Sequence, residues 1–436
     1  MESPDMEYRE IDPPDARVTE IARYAFDAQS GPFDPDEFDP EDAPEAVGGQ
    51  RGLFDGDDLL AVCGHYWFDV DVRGRRVAAP GLSMVASPPE HRRGGNVRRL
   101  LEHSLEEYRE RGDPLSLLWP FSTPFYGQYG WATTNRYAVH DVDPAALSFA
   151  TDSDAADAVQ FERVDADDWD VIDAVDDRTW TQTLAVDRGE AFWRHRVFES
   201  WGTDPFAYVG YRDGDPVAYL TYTVEDGDDT RLSVSYFGAV DHDAVLAVLS
   251  FCHAHDSQVD AVRLKTPVDW GLTYLVENPD EVETDLRTGP MGRVVDAVDA
   301  LEAVPTEAVG AFDGVTTGPT DAHVVLDVAD PLVDWHDDPI ALSIGDDATS
   351  DSTAERAPDA TPDVALDIGA LTQLILGTRT ASDLARTGDL ARTGDLAAAS
   401  GAAGDDAPAD ESPGADVLAA LDATYPESDV CMLQFF

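Results

Sequence analysis

The segment Leu82–Leu101, LSMVASPPEHRRGGNVRRLL, constrains this chain more than any other stretch. An apolar run, Leu82–Ser87, enters a polar Gly/Arg turn at Pro88–Gly95. That turn opens a run from Asn96 to Arg111 in which Val97, Leu100, Leu101, Leu105 and Tyr108 recur at helical spacing. A strand that passes through a glycine turn into a helix aims several backbone N–H groups, and the positive end of the helix dipole, at one point outside the chain. Arg92, Arg93, Arg98 and Arg99 gather there. The pattern suits a phosphate or pyrophosphate cradle; the alternative is an arginine-rich helix start making surface salt bridges. It is neither a Walker A loop, since GxxxxGK[ST] is missing, nor a dinucleotide GxGxxG.

The elements around this segment form an ordered set. An amphipathic helix is expected at Ala16–Phe26, a polar loop at Ser30–Glu45, and strands at Leu59–Val72, Arg76–Ala79 and Leu82–Ser87, with hairpin turns at Gly56 and Gly74. Gly112-Asp113-Pro114 ends the helix from Asn96. A short strand, Leu115–Trp119, a helical turn, Thr123–Tyr129, and a last strand, Trp131–Val142, follow. Beyond the polar stretch Ala150–Ala158 the order repeats: helices at Asp167–Trp180 and Glu190–Trp201, strands at Ala207–Arg212, Val217–Val224 and Arg231–Phe237, a helix at Asp243–His255, and a strand at Ala261–Lys265. A third unit is expected from Met291, with strands at Arg293–Val298, His323–Val328 and Val364–Ile368. It would also hold an acidic loop at Ile344–Pro362, helices at Leu371–Leu376 and Leu418–Tyr425, and a tail at Ala397–Gly414 of disordered composition. The tandem ARTGDL within Leu384–Leu396 is a single duplication, too short for a solenoid. The expected domains are thus 1–150, 151–290 and 291–436, and 436 residues suit two to four domains.

Charge narrows the function classes. Asp plus Glu number 88 against 29 Lys plus Arg, a formal net charge of −59, and Lys265 is the one lysine. That excess disfavours a nucleic-acid or anionic-membrane partner, and no run of 18 apolar residues is present to span a bilayer. With 43% hydrophobic residues the chain has a core to bury, so the acidity reads as the coat of a folded protein in a salt-accumulating cell. Cys63, Cys252 and Cys431 are odd in number and widely spaced, which fits a reduced cytoplasm and neither a disulfide framework nor a zinc site. His253 and His255 are two apart on an expected helix and do not share a face, so no metal is expected there.

The turn Arg92-Arg93-Gly94-Gly95-Asn96-Val97 resembles the R-x-x-G-x-G/A acetyl-CoA signature of the GNAT acetyltransferases, with Val97 in place of the usual small residue. Downstream, Pro124–Trp131, PFYGQYGW, is similar to an element of the enhanced intracellular survival (Eis) branch. The spacing between the motifs, the tandem units, a third unit resembling a sterol carrier protein at Val364–Leu376, and a C-terminal Phe all fit that branch. The resemblance implies a mixed α+β fold of two tandem GNAT-like domains, the second without a cradle, followed by a sterol-carrier-like domain. It implies an acetyl-CoA-dependent N-acetyltransferase acting on a primary amine of an aminoglycoside-like compound, a polyamine or a lysine, in a ring-like homo-oligomer such as a hexamer.

The same resemblance assigns roles. Val85, Ala86 and Ser87 would pair with the pantetheine arm and polarise the thioester carbonyl, Arg92 through Arg98 (Arg92, Arg93, Gly94, Gly95, Asn96, Val97, Arg98) would hold the pyrophosphate, and Phe121 and Ser122 would contact the cofactor. Tyr126 matches the proton donor to the leaving thiolate, and the terminal carboxylate of Phe436 matches the general base. Phenol and thiol have reference pKa values near ~10 and ~8.5, so a hydrogen bond to the developing thiolate is the safer description. On residues alone, Tyr126 also reads as a packed aromatic beside Phe125 and Tyr129. Phe436 also reads as a frayed end, although the apolar MLQFF argues against fraying. Phe33, Asp34, Asp36, Glu37 and Phe38 lie where the branch binds substrate. The competing function is a non-catalytic CoA- or lipid-binding protein that uses the third domain.

Overall fold

The computed structural model describes residues 6–40, 45–152, 158–199, 203–227, 229–306, 322–344, 352–393 and 413–436. The helices Ala16–Phe26 and Asn96–Arg111 have the expected bounds because their ends are set locally. Asp15 caps the first by accepting from the Arg17 N–H, and Gly112 terminates the second in the left-handed region at φ 79°.

Two seven-stranded sheets form the body. The first runs, in spatial order, Met6–Ile11, Gly49–Asp55, Asp58–Tyr66, Gly81–Ala86, Leu115–Leu118, Met291–Val294, Ala132–Thr133. The second runs Gln160–Arg163, Phe206–Arg212, Asp215–Glu225, Arg231–Ala239, Ala261–Pro267, Arg136–Val142, Val282–Thr288. The expected boundaries assigned Arg136–Val142 to the first unit and Met291–Val294 to the third. The sheets place them otherwise: each unit lends the other a strand. The crossing is held by backbone bonds, Thr134 N–H to Pro290 O at 3.1 Å and Gly289 N–H to Asn135 O at 2.9 Å. Strand partnership over such separations is set by tertiary contact rather than local pattern, which is why the alternation in these segments gave no sign of it.

The third unit holds a five-stranded sheet, Thr353–Arg356, Ile340–Ile344, Ala322–Ala329, Val364–Asp367, Leu390–Arg392. Thr353–Arg356 lies in the segment expected to be a loop; Ala354 is buried and pairs with Leu342. The second ARTGDL copy and the tail to residue 412 fall largely outside the described residues. No described helix is long and apolar enough to cross a membrane.

A buried ion network ties the third unit to the first. Arg293, on the lent strand and fully buried, pairs with Asp330 at 2.6 Å and donates to Tyr129 O; His336 Nδ1 lies 2.9 Å from the same carboxylate. Arg293, His336 and the Leu332 N–H hold the Asp330 carboxyl at about 2 despite its burial. A Cβ on Gly130 would strike the Arg293 guanidinium, and Gly130 sits at φ 88°, so glycine is required there twice over.

His65 marks a pH sensitivity in the first sheet. It is fully buried, with Nε2 3.2 Å from Ser104 Oγ and 3.4 Å from Cys63 Sγ, and burial pushes its pKa down to about 4. In the unfolded chain it titrates near ~6.5. Between those values the unfolded state binds the proton and the folded state does not, so stability falls as pH drops from about 6.5 to about 4, by ~3 kcal/mol in all. Denaturant titrations at fixed salt should show this slope in the wild type and lose that component in His65→Gln.

Candidate active site

The strand Gly81–Ala86 pairs in parallel with Leu115–Leu118 only at Gly81↔Leu117 and Leu82↔Leu118; beyond them the two strands diverge. On its other side, four residues from Ser83 to Ala86 oppose three, from Val62 to Gly64. This bulge leaves Met84, in the left-handed region at φ 49°, and Val85 without ladder partners. The result is a V-shaped split with unpaired backbone along one arm. Ser87 closes that arm, its Oγ donating to Leu60 O at 2.7 Å.

The turn after the split is braced from within. Asn96 Nδ2 donates to His91 O at 2.9 Å, Arg92 Nε to Ser87 O at 3.0 Å, and Arg99 Nη1 to Gly94 O at 3.1 Å. Arg93 at φ 62° and Gly95 at φ 79° turn the backbone left-handed. The helix that follows has no side-chain cap, so its first-turn N–H groups face outward uncovered. A Cβ on Gly94 would meet nothing closer than 3.6 Å. These residues fit a pyrophosphate. Arg93 is exposed and makes no hydrogen bond or ion pair among the described residues, whereas Arg98 is held by Glu102 at 2.8 Å and Pro331 O at 3.0 Å. Arg93→Ala should therefore weaken acetyl-CoA binding by about tenfold without shifting the melting temperature, the loss of one charge-assisted contact. Calorimetry at constant salt measures it, and unchanged affinity removes the cradle.

The other arm continues through Trp119 to Phe121, which is 70% exposed, and Ser122, which precedes the helical turn Thr123–Gly127. Tyr126 on that turn is buried, its ring 5.6 Å from Phe121, 5.1 Å from Phe125 and 6.3 Å from Trp131. Burial, and secondarily Cys63, pushes its phenol well above the usual range. Tyr126 is thus a protonated donor at neutral pH and a poorer acid than free tyrosine.

The C-terminus reaches the apex of the split. Phe436 is 5% exposed and its ring stacks edge-on against Tyr66 and Phe68, at 5.6 and 5.0 Å. A Cβ on Gly81 would lie 2.5 Å from that ring, so glycine at the apex makes room for the last residue. Four side chains hold the approach: Gln182 donates to Cys431 O, Asn135 brackets Met432 with bonds of 3.2 and 3.4 Å, Trp119 Nε1 donates to Gln434 O at 2.6 Å, and Tyr236 OH donates to Phe435 O at 3.3 Å. A frayed end is ruled out by this packing. Sequence reasoning missed these holders. The one available signal was Gly81, a glycine in a strand marking a close approach.

Elsewhere, His253 and His255 bond to carbonyls, His253 Nδ1 to Pro144 O at 2.7 Å and His255 Nδ1 to Phe251 O at 3.0 Å. Phe33 and Phe38 pack on each other at 6.0 Å around the short turn Pro35–Glu37.

Family models match in the same order as the sheets. Residues 8–134 and 184–294 each match an acetyltransferase (GNAT) domain, together more than half of the chain, and residues 298–409 match a sterol carrier protein domain. The chain belongs to the GNAT acetyltransferases. It is 27% identical over 298 residues to an uncharacterized N-acetyltransferase of Streptomyces avermitilis, covering 66% of this chain and 70% of that one. Among solved structures it resembles a GCN5-related N-acetyltransferase from Anabaena variabilis, with TM-score 0.74, 19% identity, and 99% and 100% of the two chains covered. It also resembles Eis1 from Mycobacterium abscessus, with TM-score 0.70, 21% identity, and 99% and 100% covered. At these identities the structural likeness is one of fold. This GNAT enzyme therefore has two acetyltransferase domains followed by a sterol-carrier-like domain, in mixed α/β sheets, as the sequence implied.

Proposed function

We propose that this enzyme transfers the acetyl group of acetyl-CoA to a primary amine, in the manner of the Eis branch, with one cofactor site per chain, in the first domain. What supports the assignment is the burial of Phe436 at the apex of a strand split whose two arms end in an uncapped Gly/Arg turn and in the turn bearing Tyr126. Arg92, Arg93, Gly94, Gly95, Asn96, Val97 and Arg98 hold the pyrophosphate, with Arg98 also anchored to the third domain. The unpaired backbone at Val85, with Ala86 and Ser87, binds the pantetheine arm and polarises the thioester carbonyl. Phe121 and Ser122 line the other arm.

The amine nitrogen attacks the thioester carbonyl carbon and the C–S bond breaks. The proton leaving the amine goes to the terminal carboxylate of Phe436. The Tyr126 O–H stabilises the departing thiolate by hydrogen bonding; its raised pKa favours this over full proton transfer. The acceptor class is an aminoglycoside-like compound, a polyamine or a lysine side chain. By the resemblance, Phe33 and Phe38, with the acids between them, would meet it. The same reading carries a homo-oligomer in a reduced cytoplasm.

Thioester consumption with a panel of amines in multimolar KCl, with products weighed by mass spectrometry, tests the assignment. CoA binding without turnover on any amine would favour a non-catalytic CoA- or lipid-binding protein. The salt in that assay follows from a second proposal, that the acidic coat is adapted to concentrated cations. With a formal charge of −59, melting temperature should fall steeply as KCl is lowered, because the carboxylates lose their screening. A flat melting temperature across that range would refute the adaptation.

A further inference from the structure

The second domain repeats the strand split of the first. Arg231–Ala239 pairs in parallel with Ala261–Pro267 from Arg231↔Ala261 to Ser233↔Arg263, and beyond that the two diverge. The helix His242–His253 follows the first of these strands, as Asn96–Arg111 follows Gly81–Ala86. A cavity of about 610 Å³ occupies this second split. Phe237 and Ala239 line it from one strand, Pro267, Asp269 and Trp270 from the end of the other, and Val245 from the helix. By position this is the cofactor cleft of a domain that has no cradle.

Its charge has changed sign. The helix start that would face a pyrophosphate is filled by Asp241, which accepts from the Ala244 N–H at 2.9 Å and pairs with Arg212, and Asp243 adds a second carboxylate in the first turn. Asp71, Asp269 and Asp429 line the cavity. Arg73, the cation among the lining residues, is directed to Ile375 O and Pro426 O. Asp269 and Asp429 make no side-chain hydrogen bond or ion pair among the described residues. Partial desolvation, and secondarily the like charge of Asp269, pushes the carboxyl of the largely exposed Asp429 up.

The wall is aromatic as well as acidic. Trp180, Phe237 and Trp270 stand in an edge-to-face row, with centroids 5.9 and 5.7 Å apart. Aromatic rings beside carboxylates favour a weakly hydrated cation with a hydrocarbon body, such as an alkylammonium, over a strongly hydrated inorganic ion. From this cleft, its rings and its unneutralised carboxylates, we infer that the second domain binds an organic ammonium ion where its counterpart binds an anionic cofactor. The cavity is lined by neither Tyr126 nor Phe436, but it is lined by Gln182, which holds Cys431 O. Its Ser428 and Asp429 belong to the segment that carries Phe436, so an occupant touches the root of that segment.

Choline is the probe, since its quaternary nitrogen accepts no acetyl group and binding is read apart from turnover. Its neutral carbon analogue, 3,3-dimethyl-1-butanol, is the control. Untagged full-length enzyme is titrated at constant KCl, followed by calorimetry and tryptophan fluorescence. The expected result is saturable choline binding, with the neutral analogue weaker by about tenfold or more. Trp270→Leu and the double variant Asp269→Asn/Asp429→Asn should each weaken choline by a similar factor. The double variant changes two exposed, unpaired side chains without changing their size, so it carries the test if Trp270→Leu fails to fold. No saturable choline binding, equal binding of the neutral analogue, or unchanged affinity in the double variant would overturn the inference. None of these outcomes bears on whether the first domain acetylates amines.

Discussion

Extending the C-terminus by even a few residues should lower kcat by ~10²–10⁴ while leaving acetyl-CoA affinity nearly unchanged, the range expected for loss of a general base. Phe436 is packed between Tyr66, Phe68 and Gly81, and the backbone leading to it is gripped at Cys431, Met432, Gln434 and Phe435. One added residue shifts the terminal charge by up to ~3.5 Å, more than a hydrogen bond tolerates. Deleting Phe436 has the same sign but also empties an aromatic pocket. The sharper variant is a semisynthetic chain ending in Phe436 carboxamide, which keeps the ring and removes the charge. Tyr126→Phe should slow turnover too, and combined with the carboxamide it should fall short of additivity, because both groups serve one transition state. Full activity in a C-terminally extended enzyme sinks the terminal-base assignment and leaves the acetyltransferase assignment standing.

Asp330→Asn should destabilise the enzyme by ~3–5 kcal/mol, the usual consequence of stranding one member of a buried ion pair. Arg293 would keep its charge, fully buried, with a carbonyl and an amide for company. Denaturant unfolding at constant salt measures the loss. Replacing both partners with apolar residues, Arg293→Met with Asp330→Leu, should recover only part of it: the unpaired charge is gone, but His336 and the Leu332 and Val333 N–H groups still lose their acceptor. A second readout is activity. Arg293 donates to Tyr129 O, three residues beyond Tyr126, so the single variant should lower kcat at temperatures where it is still folded. A stability loss under ~1 kcal/mol would mean that water reaches the pair.

What could be read from the sequence divides along the range of the forces involved. The helix at Asn96–Arg111, the turn before it and the uncapped start are written within one twenty-residue window by glycines, arginines and apolar spacing. Tyr126 could be picked out because its neighbours form a motif. The terminal carboxylate could be named from a resemblance, but its surroundings could not be. Trp119, Asn135 and Tyr236 hold the last residues across separations of about 200 to 315 positions, and no periodicity encodes such a meeting. The strand Thr353–Arg356 was hidden because half its residues are charged; its place is fixed by pairing with Ile340–Ile344. The strand Arg136–Val142 was recognisable as a strand; the one expected at Arg293–Val298 instead spans Met291–Val294, with Ala297 opening a helix capped by Asp296, and only the fold says which sheet owns either.

That ownership makes the two acetyltransferase domains an interlocked pair. A chain cut near residue 150 would lack the strand that joins Leu115–Leu118 to Ala132–Thr133, while a fragment beginning there would lack the one between Ala261–Pro267 and Val282–Thr288. Neither half is a complete sheet by itself: removing the second domain would take a strand out of the first domain's sheet. The cleft of the second domain can therefore differ from its counterpart in chemistry while the backbone around it stays committed to both sheets.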